Sequence, residues 1–175
     1  AFKRSNTNFS DIYSISSSTS PNTFSGMGVL NEVPRKQMFQ GQLKATNRAL
    51  DLAIGGVGFF TLQNTKLVEK SYFTRDGSFN LLKDGSVVNT EGLNLMGHRV
   101  SGGTFNPQVI EKIKIPLTKT DIKRGKLILT NVNVSASGVL KAEYGLDQEV
   151  VISKLPLAQF SDNTQLKSEG NNLYR

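Results

Sequence analysis

Few side chains in this 175-residue chain are suited to chemistry. His98 is its one histidine, and there is no cysteine, which removes thiolate nucleophiles, disulfides and every cysteine-bearing metal site. A lone imidazole is a general base only beside a nucleophile and an orienting acid; His98 stands between Gly97 and Arg99, a setting that predicts a turn. Asp76, Asp84 and Glu91 have the residue types of the carboxylate pair that flanks a glycosidic bond in hydrolysis. Each directly precedes a glycine, so turn chemistry already accounts for them. Gly55-Gly56-Val57-Gly58 has the glycine density of a phosphate loop but lacks its Lys-Ser/Thr ending. No helical pattern follows to aim an N-terminus at phosphate. The residues therefore predict no catalytic, cofactor-binding or metal site, no cofactor, and no enzyme.

The elements that carry these residues read as strands. Asp84-Gly85 between the apolar runs 79–82 and 86–89 predicts a hairpin, because Asp-Gly supplies the positive φ of a tight turn. Strands are also expected at 51–54 and 59–63, around the glycine cluster, and at 67–74 before Asp76-Gly77. Lys112-Ile113-Lys114-Ile115 alternates, placing Ile113, Ile115 and Leu117 on one face. Runs 126–134, 139–144 and 149–160 complete the set. Gly85 and Gly92 are seven residues apart, as are Gly138 and Gly145, an echo that two similar hairpins explain. No helix-length periodic segment follows residue 30. The expected fold is mainly β: one compact domain of short strands and hairpins over 29–175.

Residues 1–28 differ in composition. Phe2, Phe9, Ile12, Tyr13 and Ile15 suit either an extended segment or one side of a short helix capped by Asn8 or Ser10. A polar, linker-like stretch of serines beside Pro21-Asn22 follows.

The formal charge is +7. The densest basic run, 119–126 (KTDIKRGK), is broken by Asp121 and holds no aromatic residue, so a solvated face is expected rather than nucleic-acid binding. No run of about 20 apolar residues exists to span a membrane, and the opening Ala1-Phe2-Lys3-Arg4 is not that of a cleavable secretory leader. Composition and strand content also suit a carbohydrate-binding or adhesin-like β module, although there is no Trp and only four Tyr to line a sugar cleft.

Five motifs in order carry a family resemblance. Phe2-Lys3-Arg4-Ser5 with Phe9-Ser10-Asp11-Ile12-Tyr13 is similar to the pattern GFKxSRxxFxDxY. Phe39-Gln40-Gly41-Gln42-Leu43 with Thr46 to Ile54 resembles QGxLxxTxxxLDLAI. Gly58-Phe59-Phe60, Tyr72-Phe73-Thr74-Arg75-Asp76-Gly77-Ser78-Phe79 and Asn171-Asn172-Leu173-Tyr174 resemble GFF, YTRDGSF and GNNLY, with Phe73 additional. Gly55-Gly56 stands where an acidic residue is usual. Together they resemble the axial proteins of the bacterial flagellum, the hook protein and the related rod proteins.

The resemblance implies a structural subunit that stacks helically into the tubular hook, with a distal or proximal basal-body rod protein as the alternative. Its implied partners are copies of itself, neighbouring axial proteins, the flagellar export apparatus and the hook or rod cap. It implies a flagellar location reached through the flagellum's own export pathway without a cleaved leader. It also implies a β-rich core between two terminal helices, so that this chain is expected to be a core fragment. The short region 95–155 fits a rod protein or a hook protein without a large outer insertion.

Overall fold

The computed structural model describes residues 5–6, 9–13, 26–31, 35–36, 41–65, 70–101, 104–122, 125–146 and 148–175. Backbone contacts gather the chain into two units, Phe2–Phe39 and Gln40–Arg175. In the first, β1 (Ser5–Asn6) pairs with β4 (Arg35–Lys36), and β2 (Phe9–Tyr13) pairs with β3 (Gly26–Asn31), both antiparallel. Residues 9–13 are thus extended and not helical: five residues are too few to hold a helix alone, and Gly26–Asn31 offers a ladder partner. The 28/29 composition change falls inside β3, and the serine-rich stretch lies outside the described residues.

The second unit holds, among the described residues, thirteen strands in one antiparallel network. They are β5 (Phe59–Gln63), β6 (Ser71–Thr74), β7 (Asn80–Leu81), β8 (Val87–Val88), β9 (Asn94–Ser101), β10 (Thr104–Lys112), β11 (Thr118–Asp121), β12 (Gly125–Val134), β13 (Val139–Tyr144), β14 (Gln148–Lys154), β15 (Leu157–Ala158), β16 (Ser168–Gly170) and β17 (Leu173–Tyr174). Among the described residues one 3-10 turn, Asn163–Gln165, is the only helical element. The order β11-β12-β13-β14-β9-β5-β6-β17-β16 runs through β9, which also pairs with β8 and β10.

Three turns share one geometry. In each, residue i donates its N–H to the carbonyl of i+4, and the glycine at i+3 donates back to the carbonyl of i. The sets are Leu82/Gly85/Ser86 (2.9 and 3.0 Å), Asn89/Gly92/Leu93 (3.0 and 3.1 Å) and Ser135/Gly138/Val139 (2.9 and 2.9 Å). This is a type I turn closed by a left-handed residue, which the strand twist favours and glycine fills; φ is 83° at Gly85 and 76° at Gly92 and Gly138. The glycine echo therefore marks two three-stranded meanders, β7-β8-β9 and β12-β13-β14, rather than two hairpins.

The meanders are also closed alike. Ile115 donates its N–H to the Gly85 carbonyl at 2.7 Å, and Leu155 to that of Gly138 at 2.8 Å. Both donors sit in a repeated tetrapeptide, Lys114-Ile115-Pro116-Leu117 and Lys154-Leu155-Pro156-Leu157. In each the proline follows the bonding residue, so it ends the pairing without removing a needed N–H.

The core follows from alternation. Leu140, Ala142 and Tyr144 of β13 point inward with Val132 of β12, against Phe79, Val87, Ile113 and Ile115. Phe60 and Leu62 of β5 join them, whereas Phe59 packs edge-on against Phe160 and Tyr174, each with ring centroids 5.7 Å away. Strand β5 is thus buried on both sides. Tyr144 buries its ring and donates its hydroxyl to the Pro116 carbonyl at 2.7 Å, satisfying the one polar atom it takes inside.

Several local expectations change. Residues 51–54 form no strand: Asp51 makes one bridge to Ser78, and the Leu52 carbonyl occupies the space a side chain at Gly77 would need. Leu117 leaves the face of Ile113 and Ile115 because Pro116 breaks the alternation; it is 37% exposed. His98 lies inside β9 and not in a turn. Its neighbour Gly97 is a strand glycine that admits the Ser153 hydroxyl and the Ile113 side chain, the close approach that glycine in a strand often marks.

Candidate functional site

The residues singled out for chemistry are held by partners that explain them. Asp76 accepts the Ser78 N–H at 3.1 Å, closing the bend before β7. Asp84 accepts both the Ser86 hydroxyl (2.8 Å) and the Ser86 N–H (3.1 Å). Those bonds, the hydroxyl first, hold its carboxyl below the usual aspartate range, with Lys114 adding to the effect against slight desolvation. Glu91 accepts an amide N–H of Asn171 at 2.8 Å, tying the β8–β9 turn to the β16–β17 turn. The three carboxylates serve three separate turns.

His98 is half-buried, with Nδ1 3.4 Å from the Val109 carbonyl across the β9–β10 pair. Its own carbonyl accepts the Ser153 hydroxyl at 2.9 Å. Gly56 (φ 105°) and Gly58 (φ 131°) take positive φ and lead straight into β5, so the glycine cluster opens a strand. Among the described residues no three His, Cys, Asp or Glu side chains gather as metal ligands. No described helix is long and apolar enough to cross a membrane.

The surface carries more information. The described part of the basic run, 119–122 and 125–126, lies at the end of the β11–β12 hairpin, where Asp121 pairs with Gly125 in register. Ile128 there is 69% exposed and Ile122 fully so. Thr118 pairs with Ile128 and Thr120 with Lys126, so these residues share the outward face and Ile122 continues their row. Leu127 and Leu129, with the opposite parity, pack on the core. Gly145 donates its N–H to the Ile128 carbonyl at 3.1 Å, and the residue after it, Leu146, is 96% exposed. Gln148 Nε2 donates to Asp121 Oδ2 at 2.5 Å and braces the hairpin against the β13–β14 turn.

The opposite end of β12 is concave. A groove of about 410 Å³ lies between residues 51–55 and the β12–β13 turn, lined by apolar Leu52, Ile54, Phe60 and Leu157 and by polar Asp51, Ser135 and Ser137 in comparable measure. Asp51 Oδ1 is buried and accepts no hydrogen bond among the described residues. Arg48 Nε stands 3.6 Å from it, while another guanidinium nitrogen of Arg48 is bound to the Phe79 carbonyl and Asn80 Oδ1. Sequence reasoning missed Asp51, Ile122, Ile128 and Leu146. The signals available were an isoleucine set among four cations and a leucine between Gly145 and Asp147.

Comparison with known proteins places this geometry in context. Residues 53–142 match the family model "Flagellar hook protein FlgE/F/G D1 domain". The flagellar basal-body rod protein FlgG of Buchnera aphidicola subsp. Acyrthosiphon pisum (strain APS) is 32% identical over 152 residues, covering 86% of this chain and 48% of that protein. The flagellar hook protein FlgE of Rhizobium meliloti (strain 1021) is 35% identical over 141 residues, 81% of this chain and 30% of the relative. FlgG of Buchnera aphidicola subsp. Baizongia pistaciae (strain Bp) is 31% identical over 171 residues, 89% and 65% respectively. The chain spans about half the length of the first of these relatives.

Proposed function

We propose a function from one premise: this chain belongs to the flagellar hook protein FlgE/F/G D1 family. It is a non-catalytic structural subunit of the axial part of the bacterial flagellum, and its work is packing against copies of itself and against neighbouring axial proteins. The observation that carries this is the family match over 53–142, which falls on the strand network just described. The turn roles of Asp76, Asp84 and Glu91 support it, since Asp76 and Asp84 each close their own bend and Glu91 ties one turn to another.

The hook is the first reading, from the Phe9-Ser10-Asp11-Ile12-Tyr13 opening. The rod is the second, favoured by FlgG relatives that match 86 and 89% of this chain. Export through the flagellar pathway, and guidance by a hook or rod cap, complete the proposal. So does an arrangement in which residues 1–28 lead into a β-rich core over 29–175.

Deletion of the coding sequence from its host, followed by electron microscopy of isolated hook–basal bodies, tests this. Complete rods without hooks mark a hook subunit, and rods that stop short mark a rod subunit. Normal hook–basal bodies and normal motility would refute both readings.

A further inference from the structure

The strand order ends in β11 on one side and β16 on the other. Among the described residues β11 pairs only with β12, and β16 only with β17. The Leu129 N–H donates to the Leu117 carbonyl at 2.9 Å, so residues 117, 119 and 121 turn their main-chain groups towards β12. Thr118 and Thr120, at the alternate positions, turn theirs outward. Lys167 and Arg175 exchange both main-chain bonds at 2.9 Å, which turns Ser168 outward on β16 in the same way. An open edge invites a further strand, and proteins blunt the edges that must not pair. Strand β10 is blunted: it contains Pro107, and its register with β9 breaks between Phe105 and Ile110. Strand β11 holds no proline and pairs with β12 without a break.

The charges of these two edges match in one register. Set antiparallel with Thr120 opposite Ser168, Lys119 meets Glu169 and Asp121 meets Lys167. The outward groups of Thr120 and Ser168 then form a hydrogen-bonded pair. The charged residues fall at the flanking positions, where opposed side chains stand closest. A slip of two residues, the smallest that keeps outward groups paired, spoils this in either direction. One slip sets Lys119 against Lys167, and the other sets Asp121 against Glu169. Lys119, Lys167 and Glu169 are exposed. Glu169 Oε1 lies 3.7 Å from Arg175 Nε at the surface, and Asp121 Oδ2 accepts from Gln148, so both carboxylates are already held at their edges.

We propose that β11 of one copy of this chain adds to β16 of the next, antiparallel, with Thr120 opposite Ser168. The two strand networks then join edge to edge into one sheet. The occupant is a second copy because each edge carries the charge complement of the other in the one register that also pairs their main chains. Pairing β11 with β11 of another copy would set Lys119 against Asp121 as well, but that two-fold contact closes at two copies and leaves β16 open. The inference rests on the proposal that the chain is a subunit of a growing structure, which selects the contact that does not close. It adds the edges, the register and the charges that fix both.

Disulfides report the register, because the chain has no cysteine of its own. Thr120 and Ser168 are both exposed. Opposed residues of a bonded antiparallel pair have Cα atoms about 5.5 Å apart, within disulfide reach. Thr120→Cys and Ser168→Cys chains are mixed at about 1 mM, where a contact of about 1 mM Kd is substantially formed. They are equilibrated with oxidised glutathione and separated without reductant. The expected result is a mixed disulfide several-fold in excess of either homodimer. Adding Lys119→Glu to the Thr120→Cys chain should remove that excess. Adding Glu169→Lys to the Ser168→Cys chain as well should restore it, a recovery that general loss of folding or contact through another face does not give.

A Thr120→Cys homodimer equal to or above the mixed product overturns the contact in favour of two-fold pairing of β11. A mixed product that the charge exchange fails to restore overturns the register. Sedimentation of the unsubstituted chain over the same concentrations then separates two cases. A rising coefficient means copies associate through another face, and the structural-subunit proposal stands. A constant coefficient means they do not associate, and self-packing of this core falls as well.

Discussion

Replacing Gly85 and Gly92 in turn by alanine separates two costs that one turn geometry normally mixes. Both glycines sit at the left-handed position of the same turn, with φ of 83° and 76°. They differ in what a methyl group meets: nothing within 4 Å at Gly92, but the backbone carbonyl of Ile115 at Gly85. The left-handed conformation costs alanine about 1–2 kcal/mol, partly offset by about 0.4–1 kcal/mol from the stiffer unfolded chain. Gly92→Ala should therefore destabilise by about 1 kcal/mol.

Gly85→Ala bears the same cost and must also push the Ile115 carbonyl aside. That movement breaks the 2.7 Å bond from Ile115 N–H to the Gly85 carbonyl. Adding about 0.5–1.5 kcal/mol for the bond, and a similar amount for displaced backbone, brings the expected loss to about 3 kcal/mol. In urea, with a slope of about 2 kcal/mol per molar, the midpoint falls by about 1.5 M for Gly85→Ala and about 0.5 M for Gly92→Ala. Gly138→Ala, whose methyl group meets the Leu155 carbonyl at 3.2 Å, should fall between them. Equal midpoint shifts for Gly85→Ala and Gly92→Ala would refute the reasoning, because the clamp from Ile115 is then not rigid.

Leu140→Ala should cost about 2–5 kcal/mol, since the leucine is fully buried in the core, whereas Ile128→Ser should change monomer stability by less than about 0.5 kcal/mol; urea midpoints of the two variants decide it. Ser86→Ala removes the strongest stabilising contact of the Asp84 carboxylate, so the Asp84 titration followed by NMR should move up towards 3.8, and an unmoved titration contradicts the assignment. Burial raises the pKa of Tyr144 and of Tyr174 above 10.0, Arg75 slightly opposing it for Tyr174. A raised folded-state value means the fold retains the proton that the unfolded chain gives up. That stability is complete below about pH 10 and is lost as pH rises through the folded values. Tyr144→Phe and Tyr174→Phe should each flatten the decline of melting temperature above pH 10, and a slope unchanged in both contradicts burial as the cause.

Much of the fold was legible where local chemistry and tertiary pairing agree. Asp84-Gly85 specified its hairpin, and the period-two pattern of Val139–Tyr144 matches the buried face of β13 residue for residue. Legibility failed where glycine and proline serve strands. Gly97-His98-Arg99 read as a turn, yet β9 is a long strand, because it gains its place from pairing with β5 and β14 far away in sequence. The repeated Lys-Ile/Leu-Pro-Leu was readable but has meaning only once Gly85 and Gly138 are seen to accept its N–H groups.

The carboxylates of Asp76, Asp84 and Glu91 were assigned to turns from their glycine neighbours, and their hydrogen bonds agree. The outward isoleucines of the β11–β12 hairpin and the cleft beside residues 51–55 were not legible. Ile122 and Ile128 look like core residues in a list of letters, and only the hairpin register turns them outward. Asp51 looks like any acid in an Ala-Leu-Asp-Leu run until its oxygen is found buried beside the Arg48 guanidinium, 3.6 Å away.

Sedimentation velocity of the 175-residue chain over rising concentration tests self-packing most directly. Open-ended association predicts a weight-average coefficient that climbs past the dimer without a plateau. A constant monomer coefficient, or a plateau at a closed dimer, would contradict a core whose work is packing against copies of itself.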